Sequence, residues 1–286
     1  MLNRSNRSRF RRLLCALTSV ASAALLAASC SVAGTEPDQL LNQTISGLSG
    51  TDNFQFHGTT SVGLGDMPMQ EGAAFRGAVT GHTRLTMALE RGAGSGMIQT
   101  ALGGESSDRQ VVFSRKENGW ASAEEATGAA DMLLPWSPLY KLEQLNTMDK
   151  QVERGRDETK LTVLTVTPDA AEATAGLKEE LSRQSEALDT DKKLAELRTK
   201  LGLSERQAER LRSELDVSVK RARKLLDEAN GSLQAGSVYR IWVDRVSRLP
   251  QKMQVETEMT YSADGQPKRE KSVIDYEFSS YDQRSG

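Results

Sequence analysis

Residues 238–261 read VYRIWVDRVSRLPQKMQVETEMTY, and this stretch decides the fold class. Apolar and polar side chains alternate on both sides of a turn at Leu249-Pro250. A period of two predicts strands with one apolar and one wet face, and the short connection predicts an antiparallel hairpin. Similar alternation recurs at 54–57, 85–90, 161–163 and 274–278. Together these runs predict an antiparallel sheet.

Helical patterns interrupt the strands and make the predicted fold class α+β. Residues 36–48 place four apolar side chains on one helical face, and residues 137–146 form a short second helix. The four side chains of the first face are Leu40, Leu41, Ile45 and Leu48.

A long helical region is predicted from Pro168 to about Ala229. Gly202 interrupts it, and Ser204 with Gln207 forms an S-x-x-Q capping box that starts a second arm. The apolar side chains form a narrow coiled-coil-like seam. That seam either packs the two arms against each other or binds a partner protein, and the pattern favours the first.

The first 29 residues have the order of a bacterial export signal. Five arginines without an acid precede a run of 17 uncharged residues, 13–29, and small residues lead directly to Cys30. The segment around Cys30 resembles the lipobox of bacterial lipoproteins. That resemblance implies that the thiol of Cys30 receives diacylglycerol with acyl chains such as palmitate, that the chain is cleaved before Cys30, and that residues 30–37 form a tether. The alternative, a retained transmembrane anchor, needs about 20 apolar residues.

The charge and the reactive residues exclude several functions. Without the five arginines that precede Cys30, the formal net charge is −7, which disfavours nucleic acid as a partner. His57 and His82 stand apart, and no cluster of residues predicts a metal site, a cofactor or a catalytic centre. We therefore predict a protein that is not an enzyme.

The order of elements and one hairpin resemble the LolA/LolB-like lipoprotein superfamily. The hairpin of Val238–Asp244 followed by Leu249-Pro250 and Lys252-Met253 is similar to the family pattern, as is the closing strand at 274–278. The resemblance implies a curved half-barrel over residues 38–286 with helices on its concave side. A helical hairpin at 168–230 would be an unusual insertion in that family.

The resemblance also implies that the inner wall holds a lipid, another acyl ligand or a lipidated protein. The expected lining residues are Phe54, Phe56, Leu85, Met87, Met253, Val255, Met259, Tyr261, Ile274, Tyr276 and Phe278. Methionine suits such a wall because its side chain repacks easily. Two arrangements stay open: a cup with room for a guest, or a cup filled by the helix of residues 36–48.

The sequence therefore predicts a lipid-anchored protein outside the bacterial cell membrane, or at an outer membrane if the host has one. Its expected activity is non-catalytic binding of a lipid or other apolar ligand. The alternative is an envelope interaction or sensing lipoprotein that engages a protein partner through helices 168–230.

Overall fold

The alternating runs form strands, and three long ones follow one another from Gln234 to Ser279. The computed structural model describes residues 35–90, 110–117, 119–122, 133–156, 158–187 and 190–282. The predicted signal peptide, Cys30 and most of the tether lie outside these ranges. The strands are β1 (Asn53–Leu64), β2 (Gln70–Thr80), β3 (Arg84–Leu89), β4 (Val111–Lys116), β5 (Gly119–Ser122), β6 (Lys150–Arg154), β7 (Leu161–Pro168), β8 (Gln234–Asp244), β9 (Pro250–Ala263) and β10 (Gln266–Ser279).

These strands form one open, curved, antiparallel sheet in the order β5-β4-β3-β2-β1-β10-β9-β8-β7-β6. It consists of two five-strand meanders that meet where β1 pairs with β10. Since β5 and β6 lie at opposite edges, the chain must cross the sheet between them. The segment that crosses contains the helix Pro138–Thr147, which buries apolar side chains.

Five α-helices and one short 3-10 helix accompany the sheet in the described chain. The α-helices are α1 (Pro37–Ser49), α2 (Pro138–Thr147), α3 (Ala170–Ala187), α4 (Thr190–Leu201) and α5 (Glu205–Ser232). A 3-10 turn (Leu134–Trp136) precedes α2, and α5 packs against both α3 and α4.

The core lies between the apolar face of the sheet and helices α1 and α2. All four side chains of the predicted α1 face are buried there, together with Leu139, Leu142 and Leu145 of α2. Ser137 caps α2 and its hydroxyl accepts a hydrogen bond from Tyr140 N at 3.5 Å. The helices therefore sit on the concave side, which confirms the predicted α+β half-barrel.

The long helical region differs from the prediction at its start. Pro168 is the last residue of β7 and lies opposite Lys150 of β6, so the predicted start of the helical region at Pro168 is wrong. Asp169 caps α3 instead, because its Oδ1 accepts hydrogen bonds from the amides of Ala171 and Glu172.

Farther along, the predicted break and restart are both present. Gly202 has a φ of +59°, and Oε1 of Gln207 accepts a hydrogen bond from the amide of Ser204 at 3.0 Å. That this region is an insertion into a family fold stays a prediction.

Candidate ligand-binding face

The register of the sheet aligns the predicted lining residues in rows on one face. One row runs across seven strands through Leu89, Phe75, Gly58, Tyr276, Met253, Ile241 and Leu164. The next row holds Thr60, Ile274, Val255, Tyr239 and Val166. Side chains in adjacent rows on the same face are two residues apart along each strand. We call this surface the inner face.

One end of the inner face is covered by α1 and α2, and we call it the capped end. Its aromatic rings touch one another: the ring centres of Phe54 and Phe278 are 6.3 Å apart, and those of Phe75 and Tyr276 are 5.9 Å apart. Phe56 and Tyr276 are 2% and 1% exposed. The capped end is therefore a packed core.

Two glycines let the aromatic rings lie flat on the sheet at the capped end. A Cβ atom on Gly58 would lie 2.3 Å from Cζ of Phe75, and one on Gly77 would lie 2.2 Å from Cζ of Phe56. Each ring thus covers the backbone of the glycine beside it on the neighbouring strand. A larger residue at either position would push a core ring away.

The opposite end of the inner face, the distal end, is mixed in character, and its side chains are less buried although α5 packs against β9 there. Its row contains Leu64, Glu270, Met259 and Ala235, and Tyr261 follows Met259 along β9. Met259 and Tyr261 are half-buried. The hydroxyl of Tyr261 donates to Oε2 of Glu270 at 3.1 Å. Leu64 is 48% exposed.

A small polar slot lies between α2, α3 and the middle rows of the inner face. It encloses a cavity of about 30 Å³. Its polar lining consists of Lys141 and Gln144 from α2, Glu180 from α3, Tyr239 and Ser237 from β8, and Thr257 from β9. The hydroxyls of Ser237 and Thr257 are 3.0 Å apart and hydrogen-bonded.

Burial changes the protonation behaviour of the groups around this slot. Burial lowers the pKa of Lys141, and the nearby carboxylate of Glu180 partly opposes that shift. Burial raises the pKa of Tyr239, and Glu180 adds to the rise. Burial also raises the pKa of Tyr276 well above its ordinary value, and Tyr239 contributes. The Tyr276 hydroxyl is buried and has no hydrogen-bond partner among the residues that the structure describes.

The structure places all eleven predicted lining residues on the inner face, but it divides them into two groups. Met259, Tyr261 and Ile274 are half-buried. The other eight are buried in the core, so at the capped end the filled arrangement applies to them. These buried residues are Phe54, Phe56, Leu85, Met87, Met253, Val255, Tyr276 and Phe278.

The slot was missed by sequence reasoning. Lys141 lies among apolar positions of a short amphipathic helix, and Glu180 is one of many acids in the long helical region. A weak signal was available, because Lys141 falls between Leu139 and Leu142 on the side of α2 that enters the core.

Two kinds of site are absent from the described part of the chain. Within it, no three His, Cys, Asp or Glu side chains converge as a metal site. No helix in the same ranges is both long and apolar enough to cross a membrane.

Comparisons with known proteins find likeness among solved structures. No family model and no curated protein matches the chain. A LolA superfamily protein from Nitrosomonas europaea matches at 9% identity and a TM-score of 0.27, over 87% of this chain and 96% of that one. A Vibrio parahaemolyticus domain named for outer-membrane lipoprotein sorting matches at 6% identity and a TM-score of 0.23, over 86% and 94%.

Lipovitellin, described for its lipid–protein interactions, matches at 9% identity and a TM-score of 0.36. The match covers 82% of this chain and 26% of lipovitellin. The Nitrosomonas europaea structure is named as a LolA superfamily protein, and the Vibrio parahaemolyticus domain is named for lipoprotein sorting. All three TM-scores lie below 0.5, so the case for function rests on this chain's own geometry.

Proposed function

We propose that this chain is a non-catalytic lipoprotein that binds an apolar or amphiphilic ligand in its half-barrel. The observation that carries the proposal is the continuity of the inner face. Beyond Ile274 and Val255 it passes through a row with Ser272, Thr257 and Ser237, and then reaches the half-buried Met259 and Tyr261. A ligand there would extend the core outward along β9 and β10.

The energy needed is within reach of a single alkyl chain. A micromolar ligand requires about 8 kcal/mol of binding free energy. Burial of each methylene contributes about 0.8 kcal/mol, so roughly ten buried methylenes supply this amount before ordering costs. The flexible thioether of Met259 suits a chain without a fixed shape.

The test of ligand binding uses the chain without its anchor, residues 31–286, of which those from Pro37 onward form a compact unit of their own. Native mass spectrometry should reveal a co-purifying acyl species. The neutral fluorophore N-phenylnaphthylamine should bind saturably and be displaced by lauryl alcohol. A clean apo mass together with no fluorophore uptake would refute the proposal.

A matched pair of variants locates the binding face. Met259→Glu places a charge on the inner face, and we expect it to weaken fluorophore binding at least about tenfold, because a charge is poorly solvated against a bound alkyl chain. Thr260→Glu places the same side chain on the outer face of the same strand, where residue 260 is exposed. Equal effects of the two changes would place the ligand elsewhere.

We propose further that Cys30 carries the membrane anchor, outside the cell. The order of basic, apolar and small residues before Cys30 supports this. Two or three acyl chains would hold the protein firmly at a bilayer. Labelled palmitate should enter the wild-type protein and not Cys30→Ala. Incorporation at the same level in both would contradict the anchor.

A second candidate function uses the helices of residues 168–230 to bind an envelope protein. It is favoured by two apolar side chains that α4 and α5 leave exposed, Leu201 at 63% and Val217 at 68%. Photocrosslinking from position 217 in cells should capture a defined partner. Capture of the same partners from position 246, an exposed valine in the β8–β9 turn, would indicate contacts without specificity.

A further inference from the structure

The polar slot is built from three separated parts of the chain that meet over the inner face. Helix α3 turns one face toward it, with residues spaced three or four apart: Ala173, Gly176, Leu177 and Glu180. Cε of Met148 would lie 3.4 Å from a Cβ on Gly176, so small residues let α3 lie close over the slot.

Two opposite charges face the slot without pairing directly. Lys141 and Glu180 influence each other electrostatically, yet among the described contacts they form no ion pair within 4 Å. The neighbouring Arg183 also acts on Glu180 electrostatically, while its Nη2 donates to the Tyr140 hydroxyl at 2.7 Å. Among the described residues that line the slot, Lys141 is the one cation and Glu180 the one anion.

The space between these groups is small but polar. A cavity of about 30 Å³ holds about two water-sized groups. Its walls offer donors and acceptors together: an ammonium, a carboxylate, the Gln144 amide and three hydroxyls. Tyr239 also acts electrostatically on Tyr276, whose buried hydroxyl has no hydrogen-bond partner in the described part of the chain. The slot thus suits a headgroup of very few heavy atoms.

We infer that this slot holds the hydroxyl headgroup of a neutral, single-chain amphiphile. The Lys141 ammonium donates to the hydroxyl oxygen, and the hydroxyl hydrogen is donated to Glu180. The inference rests on the proposed function and names the class of its ligand. A hydroxyl bridges the two charges because it is both donor and acceptor.

Charged headgroups fit the slot less well. A carboxylate would lie against Glu180 and an ammonium against Lys141, and like charges repel strongly where the surroundings are poor in water. The slot therefore selects against both signs of charge.

The position of the slot also sets the path of the alkyl chain. Thr257 lines the slot, and Met259 and Tyr261 follow it on the same face of β9. Successive residues on one face of a strand are roughly 6.5 Å apart. A chain anchored by its hydroxyl at Thr257 would therefore run over the distal end, which is the proposed ligand face.

The experiment compares three probes with the same alkyl chain: lauryl alcohol, lauric acid and laurylamine. Their affinities are measured by displacement of N-phenylnaphthylamine from the anchor-free chain. We expect the alcohol to bind at least about tenfold more tightly than either charged probe, which corresponds to about 1.4 kcal/mol.

Two variants should shift this selectivity in opposite directions. Lys141→Met leaves Glu180 alone and should improve laurylamine relative to the alcohol by about tenfold. Glu180→Gln leaves Lys141 alone and should improve lauric acid by a similar factor. Both changes nearly preserve volume, and circular dichroism checks that both variants fold. Lys252→Met and Glu277→Gln, in an exposed ion pair of 3.5 Å, are matched controls that should change nothing.

The outcomes separate this inference from the proposed function. If the wild-type protein binds all three probes equally, or if neither slot variant changes the selectivity, the slot inference is overturned and ligand binding stands. If the wild-type protein binds none of the probes and no fluorophore, the proposed function fails and the slot has no ligand to orient.

Discussion

The capped end and the distal end of the inner face are made by the same strands, yet they differ in what covers them. At the capped end, α1 and α2 complete a core in which Phe56 and Tyr276 are almost fully buried. At the distal end, Met259 and Tyr261 continue the alternation but stay half-buried. An apolar face of a sheet is therefore only a potential binding surface, and the helices decide which part of it is available.

The largest expected effect tests whether the two ends differ in packing. Phe56→Ala should lower the free energy of unfolding by about 3–5 kcal/mol, because it removes a ring from a core that is already filled. Tyr261→Ala at the distal end should lower it by about 1 kcal/mol or less. Urea denaturation of both variants measures the difference. Similar losses would mean that the distal end is packed as tightly as the capped end.

A smaller loss of stability should come from enlarging Gly77, which lies under the ring of Phe56. Gly77→Ala should cost about 1–3 kcal/mol, because its Cβ meets Cζ of Phe56 at 2.2 Å. Gly236→Ala, in β8, meets nothing within 4 Å and should change the stability by less than about 1 kcal/mol, toward stabilisation. Thermal unfolding of the two variants gives the comparison. Equal destabilisation would show that strand glycines matter here for backbone reasons alone.

Removal of the Tyr276 hydroxyl, which has no hydrogen-bond partner among the described residues, should raise the stability. Tyr276→Phe should raise the free energy of unfolding by about 1 kcal/mol, because a buried hydroxyl without a partner is costly. Burial also raises the pKa of Tyr276 in the folded state. The unfolded chain therefore loses its proton first, near pH 10, and the wild-type protein loses stability as the pH rises above that value.

The variant lacks this titration, so its stability should fall less steeply above about pH 10. Urea midpoints measured on both sides of that pH test the prediction. Burial also raises the pKa values of Tyr239 and Tyr281, so part of the loss of stability at high pH remains in the variant. A loss of stability in Tyr276→Phe at neutral pH would indicate that the hydroxyl has a partner in solution.

Local sequence patterns were enough to predict which side chains share a face. Residues 253, 255, 259 and 261 follow a period of two, and a strand has no other way to arrange them. The buried side of α1 follows from its period of 3.6 in the same way. Both patterns depend on neighbours a few residues apart, which is why they are readable in a single chain.

The parts that sequence reasoning missed depend on contacts between distant segments. Phe56 pairs with Phe278, more than two hundred residues later, and no local pattern sets that register. Helix α2 covers part of the capped end because it lies in the segment that joins β5 to β6 at the opposite edge of the sheet. Lys141 and Glu180 likewise come from different helices. Pro168 ends a strand because its pairing with Lys150 outweighs the preference of proline for the first turn of a helix.

The smallest expected effect comes from the same substitution, tyrosine to phenylalanine, at the distal end. Tyr261→Phe removes a hydrogen bond of 3.1 Å to Glu270 that is partly exposed, so the free energy of unfolding should fall by about 0.5 kcal/mol. Partial burial and Glu270 raise the pKa of Tyr261, so its contribution, too, is lost above about pH 10.

The informative quantity is the sign relative to Tyr276→Phe, measured in the same urea experiment. A gain at the capped end and a loss at the distal end would follow from one hydroxyl being sealed in a core and the other facing solvent and an acid. If both variants gain stability, the distal hydroxyl is also without a useful partner. The distal end would then be covered in solution, which would leave less of the inner face for a ligand.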